Sequence, residues 1–207
     1  MKRPIDILVF GGSFDPIHEG HIHMLKTAIA TCEPEHTVVV PNYLSPLKSK
    51  TLFTNIQRLT MTKKVVDDAF SSLSIEVSDI EVESEGKSYT VRTLETLTEQ
   101  FKGKRIGFLC GSDSVLSLQK WVEPRRILEL ATCVVMLREK DSQEDVEDYF
   151  NAKFESSNYI ILDGTIHESS STAIRSEIIG KNDVLNHVPR GIESLVKEYM
   201  NDYWSDR

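Results

Sequence analysis

The chain has 207 residues, 40% hydrophobic and 27% charged, with a formal net charge of −8 at pH 7. That length can bury a substantial core as one domain, and the acidic balance argues against a broad nucleic-acid face, which would be basic. No apolar run reaches the roughly 18 residues of a membrane span, and three scattered cysteines, Cys32, Cys110 and Cys133, fit free thiols in a reducing compartment, by default the cytoplasm.

Ile5–Phe10 is an apolar run that predicts a buried strand, and its Asp6 does not suit a signal peptide. It leads into Gly11-Gly12-Ser13-Phe14-Asp15-Pro16-Ile17-His18-Glu19-Gly20-His21 and then a helix over 21–30. Strand, glycine turn and helix N-terminus together make an anion site, because glycines let backbone approach a phosphate and the helix presents free N–H groups. His18 and His21 stand about one helical turn apart and face that anion. There is no Gly-Lys-Ser/Thr of a Walker loop and no G-x-G-x-x-G. The same histidines, with His23 nearby, are also compatible with a metal site or an inert, solvated pair. A structural zinc site would want further Cys or His pairs, and the cysteines here are single. His23 is assigned to the polar face.

Thr37–Pro41 is the next predicted strand, followed by a loop over 42–53. Thr54-Asn55-Ile56-Gln57 is a capping box opening a helix whose Ile56, Leu59, Val66 and Phe70 keep helical spacing. Leu73–Val77 alternates as a strand, and the acidic stretch Asp79–Lys87 has the character of an insertion. Then come a helix over Tyr89–Phe101, a buried strand over Arg105–Cys110, and a helical stretch Ser114–Leu130 broken near Trp121 and Pro124. Thr132–Leu137 and Tyr159–Leu162 are strands flanking an acidic helix, Ser142–Phe154. Helices near Thr172–Ile179 and Pro189–Tyr203 end the chain. This alternation predicts one α/β domain over 1–207: a doubly wound, mostly parallel sheet with helices on both faces and a small helical C-terminal part from about 168. Ligands in such sheets bind beyond the carboxyl ends of the strands, where the histidine turn falls.

Glu168-Ser169-Ser170-Ser171-Thr172-Ala173-Ile174-Arg175 places hydroxyls at a helix N-terminus with an arginine one turn in. Alone this is simple helix capping. With the first motif, two helix N-termini and Arg175 could embrace a triphosphate. Lys48, Arg138 and Arg175, with the two histidines, are the cations available for a local anion pocket inside the acidic shell.

Gly-Ser-Phe-Asp-Pro followed by His-x-Gly-His resembles the signature of the nucleotidylyltransferase superfamily, which transfers a nucleoside monophosphate from a triphosphate to a phosphate or phosphate ester. The segment around Ser171 resembles that superfamily's Ile-Ser-Ser-Thr-x-Ile-Arg. More narrowly, the chain resembles the bacterial-type nicotinate-nucleotide adenylyltransferases. That likeness rests on Pro41 to Lys48, on Arg58 and Met61, on Ser88-Tyr89-Thr90-Val91-Arg92-Thr93-Leu94, and on Gly111-Ser112-Asp113-Ser114 with Trp121 beyond. It is weakest across Ser142–Asn158. Two positions depart: Leu47 stands where the family has His, and Ser169 where it has Ile.

The resemblance implies a Rossmann-like nucleotidylyltransferase fold. It also implies adenylyl transfer from ATP to nicotinate mononucleotide, giving deamido-NAD and pyrophosphate. His18 and His21 would act on the α- and β-phosphates, Lys48 and Arg175 on the β- and γ-phosphates. The rest of the ATP site would draw on Gly11, Gly12, Ser13, Phe14, Gly111, Asp113, Ser171 and Thr172. Mg²⁺ would accompany ATP, bound mainly by phosphates and water with no protein metal ligand. Trp121 offers a face for a pyridinium ring, a contact worth roughly 0.5–2 kcal/mol, though it also suits a core. Ser88, Tyr89 and Thr90 suit a nicotinate carboxylate, or mere capping and packing. Asp113 could accept from ribose hydroxyls, or cap the next helix. Nicotinamide mononucleotide and phosphopantetheine stand as alternative acceptors, and a nucleotide-binding sensor or a histidine metalloprotein as alternative classes. Neither nucleic acid nor a membrane is expected as a partner, and a homo-oligomer is left open.

Overall fold

The apolar runs become strands buried from both sides. In the computed structural model, which describes residues 5–46, 50–84, 86–155, 157–166, 171–180 and 188–205, they form one six-stranded sheet. The strands are β1 (Ile7–Gly12), β2 (His36–Pro41), β3 (Ile75–Val77), β4 (Ile106–Gly111), β5 (Ala131–Arg138) and β6 (Tyr159–Ile166). Their order is β3-β2-β1-β4-β5-β6, and every pairing is parallel. This is the doubly wound arrangement, in which the chain reverses its direction of travel at β1.

Alternate residues of every strand but β3 feed two cores; Ile75 and Val77 of β3 pack on the first alone. Leu8, Phe10, Val39, Leu109 and Met136 pack with α1 (Glu19–Cys32), α2 (Asn55–Phe70), α8 (Ser171–Ile179) and α9 (Glu193–Ser205). Ile7, Val9, Val38, Phe108 and Val135 face the other way. They pack with α4 (Thr90–Gln100), α6 (Pro124–Leu130) and α7 (Gln143–Lys153). A period of two thus serves both layers, which is why these strands are apolar at nearly every position. C-terminal Val196 and Met200 join the first core, and the rings of Phe53 and Tyr199 lie 6.5 Å apart.

Several expectations shift by physical cause. The helix expected from residue 21 begins at Glu19, with His18 as its extended N-cap. The capping box at Thr54 forms as expected, Gln57 N–H donating to Thr54 at 3.3 Å, but Ile56 is 65% exposed and belongs to no core. The strand expected over Leu73–Val77 keeps only its last three residues. The stretch 114–130 divides into α5 (Ser112–Val115), a 3-10 turn (Leu118–Lys120) and α6, with Glu123 in the left-handed region ahead of Pro124. The last strand extends four residues past the expected Leu162, carried by pairing of Leu137 with Thr165 beyond a register shift. Asp79–Lys87 is no mere insertion: it holds α3 (Ile80–Glu83), and Lys87 bridges to Leu44.

At the end of the sheet away from the glycine turn, Arg105 clasps Asp6 through Nε at 2.8 Å and Nη2 at 2.6 Å, joining the starts of β1 and β4. The Arg105 bonds hold the Asp6 carboxyl down at about 2 from its ordinary 3.8. A carboxylate held down stabilises the fold above the unfolded value and loses that contribution as pH falls through the folded one. Asp6→Asn should therefore melt on the order of a few degrees lower than wild type near pH 7, Arg105 being half exposed. The gap should close between about pH 4 and 2, as followed by thermal denaturation across that range.

Candidate active site

The turn after β1 is shaped by one aromatic ring. Phe14 takes a left-handed φ of 44° and is 1% exposed. Its ring lies over Gly12, where an added Cβ would meet it at 2.9 Å. Glycine is needed there because of Phe14. The same ring stands edge-on to His21 at 5.1 Å, so Phe14 acts as a prop for the histidine.

His18 and His21 bracket the first turn of α1. The His18 N–H donates to Nδ1 of His21 at 3.2 Å. Nδ1 is thereby an acceptor, which puts the proton of a neutral ring on Nε2. The two rings stack with centroids 3.7 Å apart. His18 is buried, His21 half-buried and His23 exposed.

Two adjoining cavities open beyond the strand ends, sharing Gly11, Gly12, Phe108, Asp113, Ser114 and Trp121. The smaller, about 160 Å³, is lined by His18, His21, Gly111 and Arg138, which suits it to phosphoryl groups. The larger, about 400 Å³, is lined by Ser13, Asn42, Glu81, Ser88, Tyr89 and Thr90 and falls within the size range of ligand pockets. Thr90 opens α4 after Tyr89, an N-cap whose side chain makes no capping bond. The Thr90 and Val91 N–H groups are thus available to an anion, that of Arg92 being taken by the Tyr89 carbonyl at 3.0 Å. Trp121 packs edge-on to Phe108 at 6.2 Å, and its buried Nε1 lacks a hydrogen-bond partner.

Asp113 pairs with Arg138 at 3.1 Å. Gly111 leaves room for that carboxylate, since a Cβ there would lie 2.5 Å from it. Arg138, one of the expected cations, thus reaches the histidine cavity. Ser171, Thr172 and Arg175 come to the same turn from the far end of the chain. Arg175 Nη1 donates to the Asp15 carbonyl at 2.9 Å, Nη2 to Thr172 Oγ1 at 3.0 Å, and Ser171 Oγ to the Pro16 carbonyl at 3.4 Å. Their contacts are with the turn; they line neither cavity. Leu47 and Lys48, and residues 168–170, lie outside the described residues.

The group that sequence reasoning left without a role is Arg58. It is fully buried and donates to the carbonyls of Ser13, Asn42 and Tyr43 and to Asn55 Oδ1. One guanidinium therefore ties the phosphate turn to the loop after β2. Asp15, also buried, accepts from the Leu52 and Phe53 N–H groups, each at 3.0 Å. Burial pushes the Arg58 guanidinium down, and the charges of Asp15 and Glu81 pull it back up. A signal was present: Arg58 shares a helix face with Met61, Thr62 and Val65, and an arginine on an apolar face must find partners. Glu81, between Ile80 and Val82, gave no comparable pattern.

The family described as cytidylyltransferase-like matches residues 9–177. A relative from Aquifex aeolicus, named probable nicotinate-nucleotide adenylyltransferase, is 36% identical over 168 residues, covering 80% of this chain and 98% of its own. The chain belongs to the cytidylyltransferase-like family, in its nicotinate-nucleotide adenylyltransferase branch. A second relative of the same name, from Clostridium novyi, is 32% identical over 203 residues, covering 94% and 97% of the two chains. Among solved structures, the Plasmodium falciparum nicotinic acid mononucleotide adenylyltransferase complexed with NaAD superposes with a TM-score of 0.75. The match covers 96% of both chains at 22% identity, a likeness of fold. In this chain the glycine turn and the start of α8 meet at Asp15 and Pro16.

Proposed function

We propose that this chain transfers the adenylyl group of ATP to nicotinate mononucleotide, forming deamido-NAD and pyrophosphate. The observation that carries the reading is the uncapped first turn of α4 opening into a cavity that adjoins the histidine pocket. An acceptor with an acid group on its ring can anchor there and point its phosphate at the histidines.

The acceptor's phosphate oxygen bonds to the α-phosphorus, the bond from that phosphorus to the α–β bridging oxygen breaks, and pyrophosphate leaves with the electron pair. The attacking oxygen is already anionic at neutral pH, so no general base is needed. The work is alignment and charge stabilisation. Nε2–H of His21 donates to the α-phosphate, with His18 and Arg138 beside it. Arg175 and Lys48 serve the outer phosphates. No covalent intermediate is formed: Cys110 faces the smaller cavity, but its hydrogen bond with the Cys133 thiol and its burial push the thiol up, away from the thiolate.

Mg²⁺ enters with ATP as part of the substrate. Among the described residues no group of three His, Cys, Asp or Glu side chains is arranged to hold a metal, and an ion carried by phosphates and water fits such a site. No helix among them is long and apolar enough to cross a membrane. We place the enzyme in the cytoplasm, where its three free cysteines stay reduced.

The test is pyrophosphate release from ATP and Mg²⁺ with each candidate acceptor. Backbone donors at Tyr89 and Thr90 suit both oxygens of a carboxylate, whereas a carboxamide would turn its own NH₂ toward them. Leaving such donors unpaired costs roughly 1–3 kcal/mol. Nicotinate mononucleotide should therefore exceed nicotinamide mononucleotide by about ten- to a hundredfold in kcat/KM, and phosphopantetheine should be inert. Equal efficiency with the two mononucleotides would overturn the assignment.

A further inference from the structure

We propose that Glu81 is a positioning residue for the acceptor half of the site, its carboxylate fixing the turn that presents the first N–H groups of α4. This rests on the acceptor reading above. Glu81 lines the larger cavity from α3, in the stretch that looked like an insertion. Ser88 and Thr93 both donate their hydroxyls to it. Ser88 Oγ in turn accepts from the Tyr43 N–H at 2.9 Å, while the Ser88 N–H donates to the Leu44 carbonyl at 2.9 Å. The residue just before Tyr89 and Thr90 is thus held from three directions. A serine hydroxyl has one proton to give, and here Glu81 takes it.

A carboxylate in this place is not an economical packing choice, since apolar groups of similar shape would avoid the desolvation penalty. Its presence beside a ligand cavity needs a reason, and the two hydroxyls supply one. Burial pushes the Glu81 carboxyl up from its ordinary 4.5, while Ser88, Thr93 and the charge of Arg58 pull it back. Among the charged and titratable groups of the neighbouring helices, Arg58 of α2 acts on it and Tyr89 of α4 lines the same cavity. On its own segment are Asp79, paired with Lys63 at 3.8 Å, and Glu83. Of these, Arg58 is the one whose charge bears on Glu81.

As pH falls through the raised value, Glu81 gains a proton and can no longer accept from both hydroxyls as a carboxylate. Glu81→Gln mimics that state at every pH. The experiment measures KM for nicotinate mononucleotide and for ATP from pH 8 down to the ordinary carboxyl value of 4.5, in wild type and Glu81→Gln, with Thr93→Val as the milder variant. At pH 8 the glutamine variant should raise the acceptor KM about tenfold, the size expected for losing a hydrogen bond to a charged group. KM for ATP should stay within about twofold. The ratio of variant to wild-type acceptor KM should shrink toward one as pH falls, because wild type then loses the same interaction. The acceptor's own phosphate titrates identically in both and drops out of the ratio. Thr93→Val should show the same selective rise, about two- to fourfold. An unchanged acceptor KM, an equal rise in the KM for ATP, or a ratio that ignores pH would overturn the proposal. Absence of wild-type turnover with nicotinate mononucleotide would instead overturn the acceptor reading beneath it.

Discussion

Replacing His21 with alanine is expected to lower kcat by about 10²–10³, the loss typical of removing one preorganised donor from a developing negative charge. The geometry makes this a loss of direction as well as of a donor. The His18 N–H fixes Nδ1, so Nε2–H is aimed before substrate arrives. Phe14 and Phe10 flank the ring at 5.1 and 6.0 Å. His21 is half-buried, so the fold should persist with a melting temperature a few degrees lower. Steady-state turnover alongside thermal denaturation separates the two effects. Near-normal turnover in a folded variant would remove His21 from the mechanism.

The second large effect is one of stability. Arg58→Met strips the donors from three carbonyls, Ser13, Asn42 and Tyr43, and removes the charge facing Asp15 and Glu81. Leaving buried acceptors without their donor costs about 1–3 kcal/mol apiece, so losing all three comes to several kcal/mol. At about 2–4 °C per kcal/mol for a chain of this size, the melting temperature should fall by roughly 10 °C. Arg58→Lys should recover only part of this, because an ammonium cannot reproduce the planar fork. Both follow from thermal unfolding monitored by circular dichroism. An unchanged midpoint in Arg58→Met would show that the loops hold their shape without it.

The fold was legible because all strands but the short β3 feed two cores and the helices keep their apolar faces, signals that survive without knowledge of partners. The glycine turn and its histidines were legible for a different reason: they are contiguous. What sequence could not show is what contiguity does not carry. Phe14 sits among residues read as touching ATP, yet it turns inward to support His21. Arg58, Asp15 and Glu81 come from three separate segments, and nothing in their spacing says they share one interior. The exposed Ile56 shows the converse failure, since a correct helical period does not reveal where the face ends.

The contact between Arg175 and the Asp15 carbonyl joins residues 160 positions apart, and that between Ser171 and Pro16 joins residues 155 apart. At synthesis rates of about 5–20 residues per second, the first motif is therefore made roughly 10–30 s before the second exists. A nascent chain carries a glycine turn with nothing to close against it. A nucleotide held by both motifs, as proposed above, would recognise the finished fold alone, and by mass action it would stabilise only what it recognises. Cellular ATP would then act as a late inspector of the newborn enzyme, favouring completed molecules and giving no support to half-made ones.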